Sequence, residues 1–246
     1  MPALSKQRHA ELVTFLGTLG LEANTLDASA LAAVEEALSH SSAGLPQNHE
    51  RLEFLGDAVL RLAASEFLRN EQPQLSVGRH AALRAQLVSD RWLAELGRCC
   101  GIEQVWHLGA MAAGDTAGRA TVLAEISEAL IGALYLAWGG PDGGLAAVHQ
   151  WLSPHWQNSL TLYLADPDRD NWKTALQEWS QSQRLGLPQY SCHEHSRQHG
   201  DPERFHCSVS LKGSSIAAEG RGPSRRAAEQ AAAAAALQAI RPAPAV

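Results

Sequence analysis

The sequence predicts a mainly α chain built from two unlike parts, a long helical unit followed by a small α-β-β-β-α module. Three observations carry this. From the N-terminus to about residue 163, apolar residues recur every three or four positions, and almost no stretch alternates as a strand does. Around the polar, Pro-containing "ADPDRD" (165–170) the character changes, and period-two segments appear downstream. The charge balance shifts at the same place: residues 1–165 hold 10 Lys+Arg and 17 Asp+Glu, whereas 166–246 hold 10 and 9. An acidic first part and a slightly basic second part point to two units with different jobs.

The chain has 246 residues, 45% of them apolar and 19% charged, a globular balance with room for a substantial core. The net charge of −6 does not by itself suggest a polyanion partner. The N-terminal "MPALSKQRHAELVTFLG" reads as an amphipathic helix and not as a signal peptide, and no window is expected to span a membrane. Cys99, Cys100, Cys192 and Cys207 form no C-x-x-C pattern, so reduced thiols in a cytoplasmic protein are expected.

The elements follow in order. Helical periodicity covers 7–19, 28–38, 50–69, 79–98 and 121–138, with a further helix near 142–161. Gly and Pro punctuate the breaks at Leu45-Pro46, Gln72-Pro73 and Gly139-Gly140-Pro141. This sets the first domain at 1–163, a linker at 164–170 and a second domain at 171–240. The second opens with a short amphipathic helix over 171–183. "QYSCHEHS", "RFHCSVSLKG" and "SSIAAEGRG" read as three strands, with Phe205, Cys207, Val209 and Leu211 on one face. "SRRAAEQAAAAAALQAI" is an Ala-rich helix with Ser224 at its start, suited to tight packing on a sheet. The same alternation turns Cys192 and Cys207 inward and His193, His195 and His206 outward, which disfavours a zinc site and makes the cysteines core thiols.

"HERLEFLGDAVL" (49–60) sets Glu50, Glu53 and Asp57 on one stripe of a helix that otherwise hides Leu52, Leu55, Val59 and Leu60. At about 100° per residue the three acids fall within about 60° of one another. "AEISEALIGALYL" (124–136) repeats the motif with Glu125 and Glu128 one turn apart. Like charges at this spacing cost stability, and charges near a core cost more unless something positive sits between them. A hard divalent cation removes the conflict, and an all-oxygen ligand set suits Mg²⁺ or Mn²⁺ better than zinc. Such an ion beside a phosphate can polarise it and activate an attacking water. The first domain therefore reads as a metal-dependent phosphodiesterase, if its substrate is nucleic acid.

"ERLEFLGDAVL" followed by "EALIGALYL" resembles the ribonuclease III family, and the match extends to "ALSHSS" (37–42) and "LRAQLVSDRWLAELG" (83–97). The resemblance implies an all-helical ribonuclease III endonuclease domain followed by a double-stranded-RNA-binding domain. It implies Glu53, Asp57, Glu125 and Glu128 as metal ligands, Asp57 and Glu128 as the catalytic pair among them, and Glu50 as a supporting acid. It also implies a symmetric homodimer built partly by the helix holding Leu52 and Phe54, and no membrane association. Where the family usually has Asp, Asn and Glu, this chain has Glu125, His49 and Val77, and Ala110–Ala112 replace a charged turn.

In the second domain, Arg225 and Arg226 begin a helix whose N-terminus already attracts phosphate, with Ser224 to cap it and Lys212 and Arg221 nearby. Gln177 and Gln181 lie one turn apart and suit the 2′-hydroxyls and edges of a shallow A-form minor groove. Both glutamines match the family pattern. Asp201 stands where the family often has a His, and a backbone carbonyl of this loop, in preference to His199, is expected to do that work. The expected activity is Mg²⁺-dependent hydrolysis of double-stranded RNA, Mn²⁺ substituting, to 5′-phosphate and 3′-hydroxyl ends. Ribosomal RNA precursors and messenger RNAs are the expected targets. The competing reading is a double-stranded-RNA-binding regulator that cleaves weakly or not at all.

Overall fold

In the computed structural model, the described residues are 4–165, 171–198, 200–212, 214 and 216–240. Most of the expected linker, and His199, lie outside them. The chain divides into two compact units, Met1–Leu162 and Tyr163–Val246.

The first unit is helical throughout. Helices α1 (Lys6–Thr18) and α2 (Ala28–Ala37) are capped by the side chains of Ser5 and Asp27, which accept from the Arg8 and Ala30 amides. Then come α3 (Glu50–Glu71), α4 (Val77–Leu87), α5 (Asp90–Cys99), α6 (Ala110–Gly114), α7 (Arg119–Ala137) and α8 (Gly144–Ala165). The continuous helix expected over 79–98 is in fact two. The chain leaves the helix at Val88, and the Ser89 hydroxyl accepts from the Trp92 amide to start α5 afresh. An N-cap inside an unbroken apolar period went unread, and so did the short α6.

The centre of this unit is the crossing of α3 with α7. Gly56 of α3 lies against the Glu128 carbonyl of α7, where an added Cβ would sit 1.8 Å from that oxygen. Gly132 of α7 lies against the Leu52 carbonyl, where a Cβ would sit 2.3 Å away. Only glycine at both positions lets the two backbones approach this closely. Gly97 of α5 also packs on α7, where a Cβ would sit 2.7 Å from the Ser127 hydroxyl oxygen. Helix α7 is, contrary to expectation, long and apolar enough to cross a membrane, with mean hydropathy 1.5. Its apolarity has another cause: Leu123, Ile126, Leu130, Ile131 and Leu134 are buried among the other helices, as expected of a core helix that is hydrophobic all round.

The second unit runs α9 (Trp172–Ser182), β1 (Gln189–Glu194), β2 (Phe205–Ser210), β3 (Ala217–Gly222) and α10 (Arg225–Ile240). The sheet is antiparallel in the order β1-β2-β3. Ala175 and Leu176 of α9, Cys207 and Val209 of β2, and Ala228, Ala232, Ala233, Ala236 and Leu237 of α10 share one core, with Trp172 and Trp179 packed on it. The alanine run has a steric reason: a Cβ at Gly220 would lie 2.1 Å from the Ala232 amide nitrogen. Cys192 pairs with Cys207 across β1 and β2. The two are joined as a disulfide with Cα atoms 4.1 Å apart, which corrects the expectation of separate reduced thiols. Alternation placed both on the inner face but said nothing of register, and register sets them directly opposite.

Candidate functional site

Helices α3 and α7 bring the acids together because their glycine contacts fix the backbone of Glu128 against that of Gly56, next to Asp57 and three residues after Glu53. Glu50 is exposed at the start of α3, and Glu53, Asp57, Glu125 and Glu128 are half-buried. Arg61, one turn after Asp57, grips its carboxylate with Nε at 2.8 and 2.9 Å from the two oxygens. Burial, then the charges of Asp57, Glu53 and Asp90, push the Glu128 carboxyl up to about 7, against a smaller opposing pull from Arg61. Burial, then Glu125 and Glu50, raise Glu53. An uncompensated group of this kind is what a bound cation would relieve. The donors are hard carboxylate oxygens, so Glu53, Asp57 and Glu128 fit a divalent cation.

Glu125 is placed differently from the expected all-carboxylate cluster. Its Oε2 lies 3.4 Å from His40 Nε2 and 3.7 Å from His49 Nε2. It acts electrostatically on Glu53. His49 Nε2 is in turn 3.4 Å from Glu53 Oε2. Burial, then His40, lower the His49 pKa from its usual range. His40, His49 and Glu125 could together hold a metal ion. His40, within "ALSHSS", and His49 carry no ligand signal in the sequence. The bridging signal was absent, because the two histidines meet through a loop whose path the sequence does not reveal.

On the second unit, Gln177 and Gln181 are exposed on α9, and Arg225 and Arg226 are exposed at the start of α10. The Ser224 hydroxyl accepts from the Ala227 amide at 3.2 Å, as an N-cap should. Arg225 reaches back to Glu229 at 3.2 Å, and Lys173 also pairs with Glu229. Arg221 is paired with Glu203 at 2.9 Å, which reduces the free positive charge expected there. His193 and His206 stack edge-on on the outer sheet face, 5.1 Å between centroids, away from the cysteines.

Fold and site define a class: a helical unit with a paired-helix carboxylate centre, joined to a small α-β-β-β-α module with a basic helix start. Family models agree with both halves. "Ribonuclease-III-like" matches residues 32–153, and "Double-stranded RNA binding motif" matches 172–240. A ribonuclease 3 from Prochlorococcus marinus is 45% identical over 96% of this chain and 95% of its own length. The second ribonuclease 3 of a Nostoc species is 42% identical over 84% and 83%. A solved nuclease domain of ribonuclease III from Campylobacter jejuni, described for flexibility in a region involved in dimer formation, superposes with a TM-score of 0.50 at 26% identity. It covers 58% of this chain and 96% of that one. The chain belongs to the ribonuclease III family.

Proposed function

We propose that this protein is an endoribonuclease that hydrolyses double-stranded RNA with Mg²⁺, Mn²⁺ substituting, and leaves 5′-phosphate and 3′-hydroxyl ends. The observation that carries this reading is the half-buried Glu128 carboxyl beside Asp57 and Glu53, its proton held to about 7. When bound, the cation would polarise the phosphoryl oxygen and lower the pKa of the attacking water. Glu53, Asp57, Glu125 and Glu128 would hold it, with Asp57 and Glu128 nearest the reacting phosphate and Glu50 supporting Glu53. Arg61 holds the Asp57 carboxylate in one orientation.

Residues 1–163 form the catalytic domain in this account, 164–170 the linker and 171–240 the RNA-binding domain. Gln177 and Gln181 meet the minor groove, while Ser224, Arg225 and Arg226 present the N-terminus of α10 to phosphates. Phe54 is 85% exposed on α3, three residues from Asp57. A ring so placed beside the acids suits a homodimer that sets two sites on one duplex. Ribosomal RNA precursors and messenger RNAs in the cytoplasm are the proposed targets. The test is incubation of a long perfect duplex and its separated strands with the protein, with Mg²⁺ and with chelator. Cutting of the duplex alone, and only with the ion, supports the reading; an intact duplex in Mg²⁺ overturns it.

A further inference from the structure

The histidines beside the acids have a geometry of their own. His40 Nε2 to Glu125 Oε2 is 3.4 Å, His49 Nε2 to the same oxygen 3.7 Å, and His49 Nε2 to Glu53 Oε2 3.4 Å. These are longer than an ordinary hydrogen bond of about 2.7–3.2 Å. Two of the three match the edges of a tetrahedron around an ion with bonds of about 2.05 Å, which come to about 3.3–3.4 Å. The ligand atoms of His40, His49 and Glu125 all lie within 4.8 Å of one another. Adjacent oxygens around octahedral Mg²⁺ would stand closer, at about 3.0 Å.

A second observation is independent of the spacing. His49 is only 2% exposed, and its Nδ1 is buried without a hydrogen-bond partner. Its Nε2, on the other side of the ring, is aimed at Glu53 and Glu125. The backbone holds both rings in place. The His49 amide donates to the Ser39 carbonyl at 2.9 Å and the His40 amide to the His107 carbonyl at 3.0 Å, and the rings stack 4.8 Å apart. His40 Nδ1 lies 2.8 Å from the Ser42 hydroxyl and accepts from the Ser42 amide at 3.2 Å, which orients the ring; an ion at Nε2 would take the place of the proton there.

We infer that His40, His49 and Glu125, with Glu53 alongside, form a second cation subsite that takes a borderline ion such as Zn²⁺ or Co²⁺ through imidazole nitrogen. It shares Glu53 and Glu125 with the cation position of the nuclease reading and adds two imidazole nitrogens; it goes beyond that reading, since an ion could bind here whether or not the chain cleaves RNA. Imidazole favours such ions over Mg²⁺, so excess Mg²⁺ should not displace them.

The probe is Co²⁺, added to the metal-stripped, tag-free full chain and followed by visible absorption and calorimetry. Four-coordinate Co²⁺ absorbs strongly in the visible and six-coordinate Co²⁺ weakly. The expected result is one four-coordinate Co²⁺ per chain, retained in E128Q and in excess Mg²⁺. H49N and H40N should each lose the strong bands and weaken Co²⁺ binding by at least about tenfold. Circular dichroism checks that each variant is folded, and if H49N is not, H40N decides. Only weak six-coordinate absorption in the wild type would overturn the inference, as would strong bands that survive both histidine changes. Bands lost in E128Q but kept in H49N would place the ion on the carboxylates alone, which also overturns it and leaves the nuclease reading standing.

Discussion

Replacing Gly56 with alanine tests whether the approach of α3 to α7 is what assembles the acids. The new Cβ would sit 1.8 Å from the Glu128 carbonyl oxygen, 2.7 Å from its carbon and 3.1 Å from the Gly132 nitrogen. A tolerable carbon–oxygen contact is about 3.3 Å, so the helices must part by about 1.5 Å at the crossing. Overpacking of this kind typically costs about 1–3 kcal/mol, against which better helix propensity returns somewhat less than 1 kcal/mol. At about 2–4 °C per kcal/mol for a chain of this size, the melting temperature should fall by several degrees. The functional effect should be larger than the stability effect. Metal ligation tolerates about 0.2 Å, and a misplacement of about 1 Å can cost a hundredfold in rate. Single-turnover cleavage of a duplex, measured well below the melting temperature, should therefore drop by about a hundredfold or more. Ala58→Gly, at an exposed position two residues on, should cost about 1 kcal/mol of helix stability and leave cleavage nearly unchanged. Wild-type cleavage by a folded G56A would refute the reasoning, because the acids would then not depend on this contact.

Three further outcomes are expected. In the metal-free chain Glu128 holds its proton up to about 7, so metal binding must displace that proton at lower pH. Mg²⁺ affinity by calorimetry should rise as pH rises from 6 to about 7.5 with release of up to one proton, and flatten above; a pH-independent affinity contradicts the placement. Arg225→Ala with Arg226→Ala should weaken duplex binding and lower its salt slope, and an unchanged slope would mean that neither touches phosphate. Glu125→Asp should raise the cleavage rate with Mg²⁺ more than with Mn²⁺, because a carboxylate one methylene shorter withdraws from the histidines and suits the stricter octahedral ion. A large loss with both ions would instead show Glu125 to be a fitted ligand.

Much of this architecture was legible because its signals are local. Buried stripes at period 3.6 and the alternation of Phe205, Cys207 and Val209 report which faces turn inward, and those faces are the ones observed. The carboxylates were legible for the opposite reason: Glu53, Asp57 and Glu128 break stripes that packing alone would keep apolar. What escaped notice depends on partners distant in sequence or on a single capping atom. Ser89 splits one periodic run into α4 and α5 through one hydroxyl. Cys192 meets Cys207 because strand register sets them opposite. His40 and His49 converge on Glu125 from a loop and a helix start, and no periodicity joins residues so placed.

The central claim is that the α3–α7 carboxylates bind a divalent cation and that this ion is needed for cutting duplex RNA but not for holding it. The most direct measurement compares wild type with Glu128→Gln, on one long duplex in Mg²⁺, for binding and for single-turnover cleavage. The amide keeps the shape of the side chain and removes the charge the cation needs. The account predicts duplex affinity within about threefold of wild type, since Ser224, Arg225 and Arg226 on the other unit make the phosphate contacts, with cleavage lowered by at least about a thousandfold. Cleavage at the wild-type rate by Glu128→Gln would contradict it.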